Sequence, residues 1–267
     1  MHINIYFLCF ILYSFFGWIY ESILCAQLKH HRFINRGFLL GPYCPIYGVG
    51  IIVNCILLKD VESSIAIFFA SAGTACIIEY ATSYIMEKLF AAKWWDYSHF
   101  PFNLNGRICL YGGLVFGGGS LIIVKYIHPF VISILKYIPE FHIGILSLSF
   151  TVILIIDTIL AVNSMNRLNK KLKRMYDAAN GKADVAMEVL TDKARRSEDN
   201  ILVEKGKVII VKVQNVNSVI KSRELRFLEA FPDVKFPKYG ISLDVVLRRL
   251  IQKNPRKQNE EDFYENR

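Results

Sequence analysis

Trp94-Trp95-Asp96-Tyr97-Ser98-His99-Phe100-Pro101-Phe102-Asn103-Leu104-Asn105-Gly106-Arg107 is a polar, aromatic island between two long apolar runs. Tryptophan and tyrosine collect at the membrane–water boundary, where the ring is dry and its polar tip wet. A merely permissive linker is rich in Gly, Ser and charge. This stretch instead combines three kinds of aromatic ring with a carboxylate, two amides and a guanidinium. It reads as a shaped loop at a membrane surface, and its flanks read as spanning helices.

Outward from that loop, the chain divides by composition. It has 267 residues, 53% hydrophobic, and a formal net charge of +9. Residues 1–163 hold nine Lys/Arg and eight Asp/Glu, whereas residues 164–267 hold 23 and 15. An apolar transmembrane domain (1–163) is therefore joined to a basic, helical cytoplasmic tail (164–267), expected to be disordered from about residue 255. A basic segment anchored at a membrane faces the anionic leaflet, so anionic lipids rather than nucleic acid are its expected partner. The six cysteines all lie in or beside apolar runs without C-x-x-C spacing, as small buried hydrophobes do. His30, His31 and His99 have no metal-ligand spacing, and neither metal nor cofactor is expected.

Five runs are expected as transmembrane helices, at about residues 3–26, 42–58, 64–86, 108–126 and 142–163. About 20 apolar residues cross the hydrocarbon core as a helix. The first run lacks a basic leading region and a small-residue cleavage site, so it reads as a retained span, not a signal peptide. Between the fourth and fifth, residues 130–138 are too short to cross and are flanked by Pro129 and Pro139. They are expected as a helix lying at the interface. In the tail, a charged helix is expected from Ser164 to about Asn180 with Gly181 as its cap, then a second over 184–196. Helix is also expected up to Ala230, Phe231-Pro232 as its stop, and a last helix over 243–252 after Ser242.

Basic residues orient the set. Lys29, Arg32 and Arg36 follow the first run, Lys88, Lys93 and Arg107 the third, and Arg167 to Arg174 open the tail. The intervening loops carry few. Cytoplasmic loops collect Lys and Arg, which puts the N-terminus outside and the C-terminus inside.

The front of the chain also resembles itself. Glu21 near the end of the first run is followed by Asn35-Arg36-Gly37 and Tyr47-Gly48-Val49-Gly50. Glu79 near the end of the third is followed by Asn105-Gly106-Arg107, Tyr111-Gly112-Gly113 and Gly117-Gly118-Gly119. The carboxylates are 58 positions apart and the arginines 71, so a second copy would carry 13 extra residues. Two hairpins of one hand would form a parallel repeat, as in many transporters; similarity between any two apolar helices is the alternative.

Ionisable groups inside spans cost several kcal/mol unless paired, which makes each a functional candidate. They are Glu21, Glu79 and Asp157, with Arg36 and Arg107 at the helix mouths, and the expected topology puts all five on the cytoplasmic side. Carboxylates facing guanidiniums in an apolar cup form either a structural lock or a ligand or transport site; catalysis is the third reading. Asn35, Gly37, Trp95, Asp96, Tyr97, Asn103 and Asn105 complete the cytoplasmic loop motif. Glu87 and Asp96 read as solvated or capping loop carboxylates, and Trp18, Trp94 and Trp95 as interface anchors. Gly112, Gly113 and Gly117–Gly119 give the fourth helix a smooth packing face.

No phosphate loop, H-E-x-x-H or G-x-S-x-G motif is present in the chain. Nucleotide hydrolysis must then come from another subunit, and no enzyme activity is expected. Assembled, Tyr13-Ser14-x-x-Gly17-Trp18-x-x-Glu21, Asn35-Arg36-Gly37-Phe38-Leu39-x-Gly41-Pro42-x-x-Pro45-Ile46-Tyr47-Gly48, Glu79-Tyr80, Trp95-Asp96-Tyr97-Ser98, Phe102 to Arg107 and His128-Pro129 resemble the ABC-transporter type IV family of CmpB-like multi-spanning proteins. In the tail, Arg226-Phe227-Leu228, Ala230-Phe231-Pro232 and Lys238-Tyr239 extend the likeness. The resemblance implies a permease-like subunit in a bacterial cytoplasmic membrane; a separate ATPase would drive it, and because five spans are few for a lone pathway an oligomer is expected. The alternative is a non-transporting regulator or scaffold acting through the tail.

Overall fold

The computed structural model describes residues 2–30, 33–194, 222–231 and 234–239, and these are mostly helical. Four helices are long and apolar enough to cross a membrane: Ile3–Leu28, Ser64–Phe90, Leu110–Lys136 and Glu140–Arg174. The first is built from α1 (His2–Ile19), a π-helical turn (Tyr20–Cys25) and α2 (Ala26–His30). The second expected span appears as α3 (Pro45–Leu57), only 13 residues and so about 20 Å long. Pro45 sits in its first turn, where a missing N–H leaves no bond unmade. Next comes α4 (Ser64–Phe90), opened by the Ser63 hydroxyl accepting from the Ala66 amide.

The shaped loop folds as a small hairpin, β1 (Asn103–Leu104) antiparallel to β2 (Ile108–Cys109). Its turn is Leu104-Asn105-Gly106-Arg107, closed by Arg107 N–H to Leu104 O at 3.0 Å. Asn105 and Gly106 both have positive φ, 54° and 63°. Two such residues in a row give the turn whose twist matches a hairpin, and Asn-Gly is its strongest sequence signal. A Cβ on Gly106 would also run into the Asp96 carboxylate.

Two expectations are corrected here. Residues 130–138 are not a separate interfacial helix. A π turn (Ile123–Ile127) joins α5 (Leu110–Ile122) to α6 (His128–Lys136), so the fourth helix runs on to Lys136. Pro129 lacks a donor, and it falls in the first turn of α6 next to the π turn, which absorbs the altered bonding. Gly181 does not cap a helix either. α7 runs unbroken from Glu140 to Ala194, since one Gly among good helix formers costs only about 1 kcal/mol. Helix is found as expected at α8 (Ser222–Ala230), followed by a 3₁₀ turn at Pro237–Tyr239. The expectations for 195–221, 243–252 and 255–267 lie outside the described residues.

Helix pairing follows the small residues. α1 packs along α3 and α4 along α5. A Cβ on Gly48 of α3 would come within 2.5 Å of the Phe10 carbonyl oxygen, and one on Gly117 of α5 within 2.9 Å of the Phe68 carbonyl oxygen. Lipid tails are as apolar as Leu, so such close approach, rather than burial from water, holds spanning helices together. Along the α1–α3 seam a core of Ile5, Leu8, Cys9, Tyr13, Ile51, Cys55 and Ile143 forms. The Tyr13 hydroxyl is satisfied by His128 Nδ1 at 2.8 Å.

The chain divides into two compact units, Met1–Asn163 and Ser164–Arg267. In the second, Met165, Leu168 and Leu172 are fully buried along one stripe of α7, as are Phe227 and Leu228 of α8 and Phe236. Glu224 of α8 is buried between two cations of α7, Lys171 at 2.5 Å and Arg167 at 3.8 Å.

Candidate functional site

Glu21 stands in the π turn of the first helix, where one extra residue per turn re-aims the side chains around it. Its carboxylate accepts a hydrogen bond from the Tyr47 hydroxyl at 2.6 Å and lies 3.6 Å from Arg36. The loop that delivers Arg36 is fixed by its own polar groups. Trp18 Nε1 donates to Asn35 Oδ1 at 2.7 Å, the Arg36 amide donates to the Ser22 hydroxyl at 3.0 Å, and buried Gly37 lies against Trp18. Tyr47 reaches Glu21 because Gly17 makes room; a Cβ there would sit 2.5 Å from that of Tyr47.

Glu79 is arranged differently. It lies in regular α4, nine-tenths buried, and accepts from the Tyr97 hydroxyl at 3.0 Å. Tyr97 comes from the shaped loop, whose backbone is tied down by Tyr97 N–H to Gly106 O (2.8 Å) and by Trp95 Nε1 to Arg107 O (2.9 Å). Asn103 bridges the loop, donating to Phe100 O and accepting from the Gly106 amide, while Asn105 donates to the Tyr80 hydroxyl. Asp96 accepts from Lys93 at 2.9 Å and from the Ser98 amide at 3.1 Å. Burial first, and then the Glu79 and Glu21 carboxylates, push the Tyr97 phenol far above its ordinary value. It therefore stays protonated as a donor, and both carboxylates lie within its electrostatic reach.

Arg107 does not face Glu79, which corrects the expected pairing of each span carboxylate with a guanidinium. It binds Glu87 at 2.8 Å and the Ser83 hydroxyl at 3.1 Å, under the rings of Tyr80 and Tyr84. Glu87 is thus an ion-pair partner, not a solvated loop residue. Asp157 stands apart from both arginines. It accepts from the Leu40 and Gly41 amides at 2.8 and 2.7 Å and from the Tyr43 hydroxyl, holding the first loop on α7.

The two loop regions meet. The Phe38 ring lies 5.2 Å from Phe90 and 5.4 Å from buried Trp94, and Tyr47 lies 5.5 Å from Phe116. Glu21 accepts from Tyr47 and faces Arg36, and it lies within electrostatic reach of Tyr97, which donates to Glu79. Arg107 closes its own pair beside it, and Asp157 works as a clamp. The tyrosines were missed as carboxylate partners because neither is near its Glu in sequence. The hairpin that delivers Tyr97 was readable from Asn105-Gly106.

Two separations recur in these contacts. Phe10 and Phe68, which face Gly48 and Gly117, are 58 positions apart, as are Glu21 and Glu79. Gly48 and Gly117 are 69 apart, and so are Tyr47 and Phe116. Comparison with known proteins gives one match: the family model described as "Putative ABC-transporter type IV" covers residues 8–162. No curated protein and no solved structure matches the chain. More than half of the chain falls within that family, and the chain belongs to it: a multi-pass, transporter-related membrane protein.

Proposed function

We propose that this family member is the permease-like membrane subunit of an ABC-type transporter, powered by a separate ATPase. The observation that carries the reading is the polar cluster at the two loops, in which Glu79, buried in α4, and Glu21, partly exposed on the first helix, each accept from a phenol hydroxyl, with one guanidinium beside Glu21. Ionisable groups kept inside a membrane domain are functional candidates by default, substrate pathways among them. In this reading α3 counts as a fifth, short span, the N-terminus lies outside and the C-terminus inside a bacterial cytoplasmic membrane. The paired contact separations of 58 and 69 support two parallel hairpin repeats of one hand. Glu21, Arg36 and Glu79 line the inner gate, while Arg107 and Asp157 fix its loops. Exposed Arg167, Lys170, Lys173 and Arg174 meet anionic headgroups. So few spans make a lone pathway unworkable, and the subunit is oligomeric; it carries out no chemistry of its own.

Gentle-detergent purification of the tagged chain from its own membranes tests the reading. A stoichiometric ATPase among the co-purifying proteins is the expected result. Copies of the chain alone would contradict it.

The second reading, a regulator acting through the tail, is favoured by one feature. Glu224 is buried against Lys171 and Arg167, so α8 is a built element rather than loose charge. Truncation after Arg174 separates the two. A permease keeps residual transport without α8, whereas a tail-driven regulator loses every phenotype.

A further inference from the structure

We propose that the tip of the shaped loop, Phe100-Pro101-Phe102 with Leu104, is a lipid-binding surface inserted at the headgroup–acyl boundary of the nearer leaflet. The proposal stands apart from the transport reading and needs only that α5 crosses a membrane.

Exposure marks the tip. The Phe102 side chain is 82% exposed, and Phe100, Leu104, Leu110 and Tyr111 around it are exposed as well. A contiguous apolar patch of this kind marks an interaction surface. The backbone adds to the signal. Phe102 has a φ of 51°, a left-handed conformation that a bulky residue rarely adopts and that Gly takes without strain. It is held there by the Leu110 amide, which donates to Phe102 O at 3.2 Å, and by Asn103 Nδ2, which donates to Phe100 O at 2.8 Å. The position supplies a ring, not only a turn.

Height selects lipid as the partner. The Leu110 bond pins the tip beside the first residue of α5 instead of far beyond the helix end. The helix that starts there, Leu110–Lys136, has 27 residues. At 1.5 Å per residue it is about 40 Å long, against a hydrocarbon core of about 30 Å. Its ends therefore lie at headgroup depth, and so does Phe102. Sideways, the Phe100 ring stacks on Tyr111, 6.4 Å away and 4° from parallel. Tyr111 opens an exposed stripe of α5 that continues through Val115 and Ile122, four and seven residues on along one helical face. The tip thus extends the face that α5 turns to hydrocarbon. Phe and Leu at this depth bury themselves at the headgroup–acyl boundary. The same loop carries Tyr97, whose amide is bonded to Gly106 O, so a tip seated in lipid steadies the hydroxyl that reaches Glu79.

The test is electron paramagnetic resonance of a nitroxide at Phe102→Cys in the otherwise cysteine-free full-length chain, reconstituted in phosphatidylglycerol nanodiscs. Collisions with oxygen, which partitions into lipid, are compared with collisions with a water-soluble nickel chelate. Labels at Ile122→Cys and Lys59→Cys set the lipid and water limits. Oxygen is expected to dominate at 102, as at 122. Dominance of the nickel chelate, as at 59, would overturn the proposal. Shielding from both would overturn it too, and would assign the tip to a protein partner or a second copy. A label at His99→Cys leaves Phe102 in place for a second arm. There Phe102→Leu should keep the label as immobile as it is beside Phe102, whereas Phe102→Ser should free it and raise its collisions with nickel. Equal spectra for the Leu and Ser variants would contradict lipid anchoring.

Discussion

The hairpin that carries Glu21 and the one that carries Glu79 solve the same problem with different parts. Each places a carboxylate on a long helix, Glu79 buried and Glu21 partly exposed, and gives it a tyrosine hydroxyl. In the first, Tyr47 comes from the returning helix α3, and Arg36 adds a countercharge. In the second, the position 69 residues after Tyr47 is Phe116, which has no hydroxyl. The extra residues of the shaped loop supply Tyr97 instead, and the loop's arginine is drawn off to Glu87. The first carboxylate is balanced by its own hairpin and the second is not. That difference gives the first carboxylate a structural share and makes the second the one to test for a functional role.

The largest effects should come from the seams that make the hairpins. Gly48→Ala drives a Cβ to 2.5 Å from a backbone oxygen and Gly117→Ala to 2.9 Å, whereas Gly119→Ala meets nothing within 4 Å. Overpacking costs about 1–3 kcal/mol, so thermal unfolding in detergent should rank them in that order, with Gly119→Ala near wild type. Equal losses at Gly48 and Gly119 would break the pairing of the seams. Next in size is the carboxylate contrast. Glu21→Gln leaves the Arg36 guanidinium largely buried without its countercharge and should cost about 2 kcal/mol or more. Glu79→Gln strands no cation and should cost less than 1.5 kcal/mol, yet abolish transport; the opposite ranking in thermal scans would reverse the roles assigned above. Tyr97→Phe removes a hydrogen bond to a buried carboxyl, worth about 1.5 kcal/mol. If Phe116 occupies the place of Tyr47, adding Phe116→Tyr to Tyr97→Phe should recover part of the lost activity. Smallest is Gly106→Ala, about 1 kcal/mol from the positive φ, because the Asp96 and Lys93 atoms that its Cβ meets are side-chain ends that can swing aside; it is read as increased protease cleavage between residues 94 and 107.

How far the sequence carried this account depended on the scale of the feature. Apolar runs announce membrane helices because every residue of a span must suit lipid, and four of the expected five appear at full length. The interruption at Pro129 misled because proline's missing donor is visible in sequence, whereas the π turn that accommodates it is not. Gly181 misled for a similar reason, since its cost is small beside that of ending a 55-residue helix. Within the site, the identity of the buried carboxylates was legible from their expense in a membrane. Their partners were not. Whether Arg107 meets Glu79 or Glu87 depends on loop geometry, and Asp157 is claimed by the amides of Leu40 and Gly41, groups no composition argument could rank.

Everything above requires that the loops following the Glu21 and Glu79 helices open on one face of the membrane. Single cysteines placed at Phe33 and His99, both exposed, in an otherwise cysteine-free chain can be labelled with an impermeant maleimide in sealed vesicles of each orientation. The account predicts that both positions react only in inside-out vesicles. Reaction of the two from opposite faces would mean that the hairpins are inverted relative to one another and that the two carboxylates cannot serve one site.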